Sequence, residues 1–340
     1  MLTLLKTNIQ DNYKINLENS NQEQTPPEPE KSGELNTLTE TYSPYPLISP
    51  VAAAFLGLIG GFILYQGLGS VLTVLIFGSD LEAIPVDGLR FTTIVGQILF
   101  IFLPALFFSK WIYGDISKII SLKLPEWKEL LLFILGIIIL TPLLQSYLYI
   151  QNYIIERWAE SSQFINSIKF LIDSLNELIE KTFGNLIHAD NFAEMLLVII
   201  TISIIPAICE EVMFRGYIQR SFGFKFKSHI AALLTALFFA LYHFNPYGLI
   251  PLAIIGFYLG FAAYSSQSLF IPIVLHFLNN FFAVMLYFII GDDELFKSNV
   301  SDTEALDANV IYFFLLLVMF ITIVFLIKNY YKKRTNVMEV

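Results

Sequence analysis

Glu210 and Glu211 stand side by side at the end of a long apolar run, and Arg215 follows four residues after Glu211. A charged side chain at the centre of a membrane span costs roughly 2.5–3.5 kcal/mol on insertion, so such residues mark a function or a compensating partner. Glu211 and Arg215 share one helix face in the favourable acid-first order. Their pairing away from water is expected to matter far more than a surface bridge. Glu210 points about 100° away around the helix and has no partner at that spacing. It is therefore the carboxylate free to do chemistry. The plainer alternative is that both glutamates reach the membrane interface, because Arg220 is close in sequence. Pro206, four residues before Glu210, removes a backbone hydrogen bond. A kink there opens space for water beside Glu210, although membrane helices also tolerate proline for no functional reason.

Of the four histidines, two lie in apolar runs: His243, four residues after Phe239, and His276, four residues before Asn280. A single membrane histidine is often only a partner in a helix-to-helix hydrogen bond. Two of them, with an asparagine and an unpaired glutamate on three polar-bearing helices, form a set with chemical use. Glu210 could act as general base on water. The histidines could hold a divalent metal or donate to a developing oxyanion, and Asn280 could donate to the same oxygen. These are the parts of peptide-bond hydrolysis without a covalent intermediate. Neither a serine-centred nucleophile motif nor a His-Glu-x-x-His run is present. His188 and His229 read as ordinary surface or edge residues.

The elements that must position these groups are membrane helices. Hydrophobic residues make up 56% of the 340 positions and charged residues only 14%, against roughly a quarter charged in a soluble domain. The spacing predicts an all-α polytopic membrane protein with eight hydrophobic spans: 48–78, 93–113, 129–150, 193–218, 229–244, 249–265, 268–290 and 310–327. The eight-helix membrane domain covers 46–330. Residues 1–45 hold seven carboxylates and Pro26, Pro27 and Pro29, and are expected to be a disordered tail. Residues 331–340 are expected to form a basic tail. The net charge of −9 comes with no basic patch, so no nucleic-acid partner is expected. The single cysteine, Cys209, excludes an intrachain disulfide and a multi-cysteine metal site.

Basic clusters set the orientation. Lys110, Lys118, Lys123 and Lys128 follow the second span; Arg220, Lys225 and Lys227 follow the fourth; Lys328, Lys332, Lys333 and Arg334 follow the eighth. An even number of spans puts all three clusters and both termini in the cytoplasm. The opposite loops carry Asp80, Glu82 and Asp87, and Asp292-Asp293-Glu294. The large outer connection, 151–192, repeats Phe164, Ile168, Leu171, Leu175, Leu178 and Ile179 at helical spacing. It reads as an amphipathic helix, lying on the membrane surface or packed on the bundle. Gly57 with Gly61, and Gly256 with Gly260, form small-residue pairs that suit close helix packing.

The polar residues together resemble the CAAX proteases and bacteriocin-processing enzymes. Members of that family carry a double glutamate followed by arginine, then a phenylalanine four before a histidine, then a histidine four before an asparagine. Here these match Glu210-Glu211-xxx-Arg215, Phe239-xxx-His243 and His276-xxx-Asn280, in family order, within about 195–290. The resemblance implies an eight-helix intramembrane metalloendopeptidase. It implies Glu210, His243, His276 and Asn280 as catalytic residues, with Glu211, Arg215 and Phe239 in support. It also implies a divalent metal, zinc, on His243 and His276, reached through a water bound by Glu210. The expected partners are membrane lipid and a peptide or protein substrate, lipidated at its C-terminus in the prenyl-protease branch. No obligate partner chain is expected. The expected location is a bacterial cytoplasmic membrane.

Counting 1.5 Å per residue from the basic ends places Glu210 and His276 about 12–14 Å deep and His243 about 21 Å deep. A tilt, or a fifth helix that starts outside the membrane, would close that gap. Two other functions fit the same scaffold. Intramembrane glutamate and histidine also build proton relays, as in a proton-coupled transporter, but no internal repeat supports that reading. A non-catalytic bacteriocin-immunity protein is the other alternative.

Overall fold

The computed structural model of this chain describes residues 46–79, 84–290 and 303–338. The acidic segment 1–45, Asp80, Glu82 and the Asp292-Asp293-Glu294 stretch lie outside the described residues. Within them the regular elements are helices and no strand occurs. In chain order they are α1 (Pro50–Phe77), α2 (Val86–Tyr113), α3 (Trp127–Ser161), α4 (Gln163–Ile187), α5 (Phe192–Gly223), α6 (Ser228–Tyr242), α7 (Leu249–Ser266), α8 (Phe270–Ile290) and α9 (Thr303–Met338).

Seven of these are long and apolar enough to cross a membrane. The chain is thus an all-α polytopic membrane protein. The run 229–244, expected as a span, forms α6 with only 15 residues. At 1.5 Å per residue it covers about 22 Å, less than a hydrocarbon core of roughly 30 Å. The turn Asn245-Pro246-Tyr247-Gly248 stops it, and the Asn245 side chain accepts from the Gly248 amide at 2.7 Å.

Two other boundaries differ from the sequence expectation. Helix α3 runs to Ser161, well past residue 150, because no residue breaks it before Ser162 takes an extended backbone and caps α4. The apolar run 310–327 and the basic residues after it form one helix, α9, which continues to Met338. Arg334 donates to the buried Glu129 of α3 at 3.3 Å, and Tyr330 donates to Glu126 at 2.8 Å. Those bonds join the basic end of α9 to the start of α3.

Helix α5 carries the double glutamate through the middle of the bundle. Asn191 caps its first turn, accepting from the Glu194 amide at 3.1 Å, while Glu194 accepts from the Asp190 amide at 2.9 Å. These reciprocal bonds satisfy amides that the helix ladder leaves free. Helix α1 packs closely on α5. A methyl group at Gly57 would meet the Tyr217 ring at 2.5 Å, and the Tyr217 hydroxyl donates to the Ala53 carbonyl at 2.8 Å. The small-residue pair in α1 therefore serves packing.

Helix α4 settles which way its apolar stripe faces. Phe164, Ile168, Leu171 and Leu175 point away from the protein, whereas Lys169 faces inward and pairs with Asp173 at 2.8 Å and Glu156 at 3.2 Å. The side chains of Leu178 and Ile179 lie outside those described. The Asp173 carboxylate beside Lys169 holds its ammonium above the usual lysine range. Buried Arg90 in α2 anchors the far end of α4, donating to the Leu186 carbonyl at 3.1 Å and also to the His188 carbonyl.

Candidate active site

Wide turns of π-helix bracket the polar residues. In α5 they cover Ile199–Ile204 and Val212–Ile218, on either side of Glu210 and Glu211. In α2 one covers Ile98–Phe102, directly after Gln97, and in α1 one covers Ile63–Leu68, which includes Tyr65. Pro206 and Pro104 each follow such a turn. A proline has no N–H for the ordinary ladder, and the wider register of these turns accommodates the missing bond. Beside these stretches α1, α2 and α5 come together. Gln97 donates from Nε2 to Glu210 Oε1 at 3.0 Å, and the Tyr65 ring lies beside both residues. The other Glu210 oxygen has no partner among the described residues, and the side chain is only half-buried.

Glu211 is 0% exposed and holds two groups on one oxygen. Its Oε1 accepts from Arg215 Nη1 at 2.6 Å and lies 2.8 Å from His276 Nδ1. A carboxylate can only accept, so Nδ1 of His276 carries the proton and Nε2 is its working atom. Arg215 spends a second donor on the protein too. Nη2 donates to the Gly256 carbonyl at 3.1 Å, and the guanidinium lies 4.4 Å above the Phe239 ring. Charge-assisted bonds and ring contact offset the large desolvation cost of a buried pair. The close approach at Gly256 is required for this. A methyl group there would meet Phe239 at 3.1 Å and the Ala236 backbone at 3.3 Å.

Phe239 sits between the two histidines. Its ring centre is 4.6 Å from that of His243 and 5.9 Å from that of His276. The depth mismatch counted from the sequence thus gives way to two imidazoles flanking one phenyl ring. His243 Nδ1 lies 2.7 Å from the Phe239 carbonyl, which also only accepts. That contact fixes the same tautomer as in His276, with Nε2 free. His243 is exposed at the end of α6, and His276 is buried within α8. Asn280, one turn along α8, donates from Nδ2 to the Ile202 carbonyl at 3.0 Å and accepts from Asn279 at 3.3 Å. One of its two N–H groups remains for another acceptor.

The expected metal site needs a separate test. Catalytic zinc takes three protein ligands and leaves a fourth position open. Among the described residues no three His, Cys, Asp or Glu side chains converge on one point that could hold an ion. His243 and His276 offer two nitrogens and lack a third neighbouring donor, so this donor set does not fit a resident metal.

Gln97 and Tyr65 were not singled out in the sequence, nor was the bond from Glu211 to His276. The one signal for Gln97 is an amide side chain interrupting an apolar run. His188 gives its backbone carbonyl to Arg90 and its exposed ring lies 3.8 Å from Asp190, and His229 is exposed.

A bundle of membrane helices with a half-buried carboxylate that keeps one oxygen unpaired, two tautomer-fixed histidines and an asparagine has the equipment of an intramembrane hydrolase. Comparison with known proteins agrees: residues 192–282 match the family model described as type II CAAX prenyl endopeptidase Rce1-like. That match is consistent with the CAAX protease family and brings the protease class with it. No curated protein and no solved structure matches the chain.

Proposed function

We propose that this protein is an intramembrane endopeptidase in which Glu210 activates the water that attacks the peptide bond. The observation that supports this most is the contrast between the two adjacent glutamates. Glu211 is sealed from water by Arg215 and His276, whereas Glu210 keeps one oxygen free. A general base needs that free basic oxygen and a fixed position. Gln97 supplies the fixed position, and the half-exposed setting supplies the water.

In the proposed reaction Glu210 takes a proton from water as the oxygen attacks the carbonyl carbon. The developing oxyanion is held by the spare N–H of Asn280 and by a protonated histidine Nε2. Preorganised donors of this kind are worth most where water is excluded. Glu211 holds the Nδ1–H of His276 and so orients its ring. Protonated Glu210 then passes its proton to the leaving amine. The scheme uses only this chain's own groups. The name of the matching family supports a substrate that is prenylated near its C-terminus.

The test is cleavage by purified protein of a peptide panel, prenylated and unmodified, ending in Cys followed by three residues. Cleavage with preference for prenylated members is expected. Folded protein that cleaves no member, and instead dissipates a proton gradient in vesicles, would point to the proton-relay reading.

A further inference from the structure

The connection 151–192 contributes no residue to the site, yet it reaches the turn that carries His243. Phe244, directly after His243, has a φ of 52°. That is left-handed backbone, rare for a bulky side chain and kept only where the surroundings fix it. Two helices hold the turn from outside. Gln151 of α3 donates from Nε2 to the Tyr247 carbonyl at 3.0 Å. The Tyr247 hydroxyl donates to Oδ1 of Asp173 in α4. Asp173 is itself fixed, because its Oδ2 accepts from Lys169 at 2.8 Å and Lys169 also reaches Glu156 of α3 at 3.2 Å. On the other side of His243, the Tyr242 hydroxyl donates to the Leu58 carbonyl of α1. The segment 242–247 is thus pinned at both ends, with His243 between the pins.

We infer that Tyr247 and Asp173 are positioning residues, which hold the turn after α6 so that Nε2 of His243 stays at the site. What His243 does there rests on the protease reading above; the inference adds what keeps it in place, and gives α4 a role. The bond from Tyr247 ends on a carboxylate, which makes it one of the stronger kinds of hydrogen bond. Helix α4 is a firm base for it, because its opposite face is the exposed apolar stripe of Phe164, Ile168 and Leu171, which suits lipid. Without the outer anchor, Phe244 is free to return to the ordinary negative φ. That rotation swings the end of α6 and the imidazole with it. A displacement of about 1 Å at a reacting group can cost on the order of 10²-fold in rate, so a contact four residues from His243 bears on the chemistry.

The position of His243 can be read without cleavage. Full-length protein in detergent is prepared with histidine labelled with carbon-13 at Cε1, and the His243 and His276 signals in its NMR spectrum are identified by their absence from His243→Gln and His276→Gln. Tyr247→Phe deletes one oxygen and keeps the ring. It is expected to shift or broaden the His243 signal and to leave the His276 signal in place. Asp173→Ala should do the same. On a substrate that the unaltered protein cleaves, each variant should lower kcat about tenfold with KM within about twofold. The double variant should be no slower than either single one, because both remove the same contact. An undisturbed His243 signal in the two variants would overturn the proposal. So would an equal shift of the His276 signal, which would mean that the whole bundle loosens, or losses in kcat that add in the double variant. A His243 signal that responds in a protein that cleaves nothing would fault the protease reading and leave the anchoring of His243 standing.

Discussion

At the residue scale, two neighbouring glutamates differ because of what reaches them from other helices. Glu211 receives Arg215 from its own helix and His276 from α8 on a single oxygen. Arg215→Ala would strip a sealed carboxylate of its counter-charge, which typically costs about 3–5 kcal/mol. The variant should give a lower folded yield and a lower melting temperature in detergent; normal values for both would mean that water reaches Glu211. Glu210 depends instead on Gln97. Gln97→Leu removes one bond to a charged acceptor, so kcat should fall about tenfold with KM little changed. A changed KM with kcat intact would place Gln97 in substrate binding. Two imidazoles without a third donor form no seat for an ion, and a chelator in the assay should leave cleavage unaltered. Loss of activity that one divalent ion restores would show that the donors regroup around a metal.

These residue-level contacts also show where a sequence stops being readable. The pair Glu211–Arg215 follows from spacing on one helix, and so does the shared face of His276 and Asn280. The bond from Gln97 to Glu210 joins positions 113 apart, which no local periodicity encodes. Glu211 was assigned a single partner by spacing, yet a carboxylate oxygen has room for two donors, and only the packing of α8 on α5 brings His276 to it.

At the element scale, the apolar runs were legible because lipid demands about 20 consecutive apolar residues per helix. The π-turns were not, since they are a change in hydrogen-bond register rather than in composition. Pro104 and Pro206 mark where two of them end. Helix α7 shows how tightly the elements must meet. Its Gly256 carbonyl accepts from Arg215, and a larger side chain there would push α6 away. Gly256→Val should therefore separate Phe239 from Arg215 and lower activity at least as much as stability, measured as cleavage rate beside melting temperature. An active, stable variant would show that α6 can shift without disturbing the site.

At the scale of the whole molecule, the short helix α6 decides the topology. The basic cluster after α5 and the one that ends α9 share a side only if an even number of helices crosses between them. Those helices are α6, α7, α8 and α9, so a shared side would require α6 to cross despite its 15 residues. A short helix can cross where the bilayer thins around it or neighbouring helices shield its ends. Reporter fusions near residues 170 and 335 should then report opposite compartments. The same compartment for both would mean that α6 turns back within the membrane. The outward apolar stripe of α4 fits a helix resting in the lipid interface.

The central claim is that Glu210 is the base, and the most direct measurement is the cleavage rate of Glu210→Gln on a substrate that the unaltered protein cleaves. The amide keeps the shape of the side chain and its contact with Gln97, but lacks a basic oxygen. A protein that folds as before, still binds substrate and has lost cleavage by a factor of roughly 10² or more is the result this account predicts. Cleavage at the original rate by Glu210→Gln would contradict it and move the search for the base to the histidines.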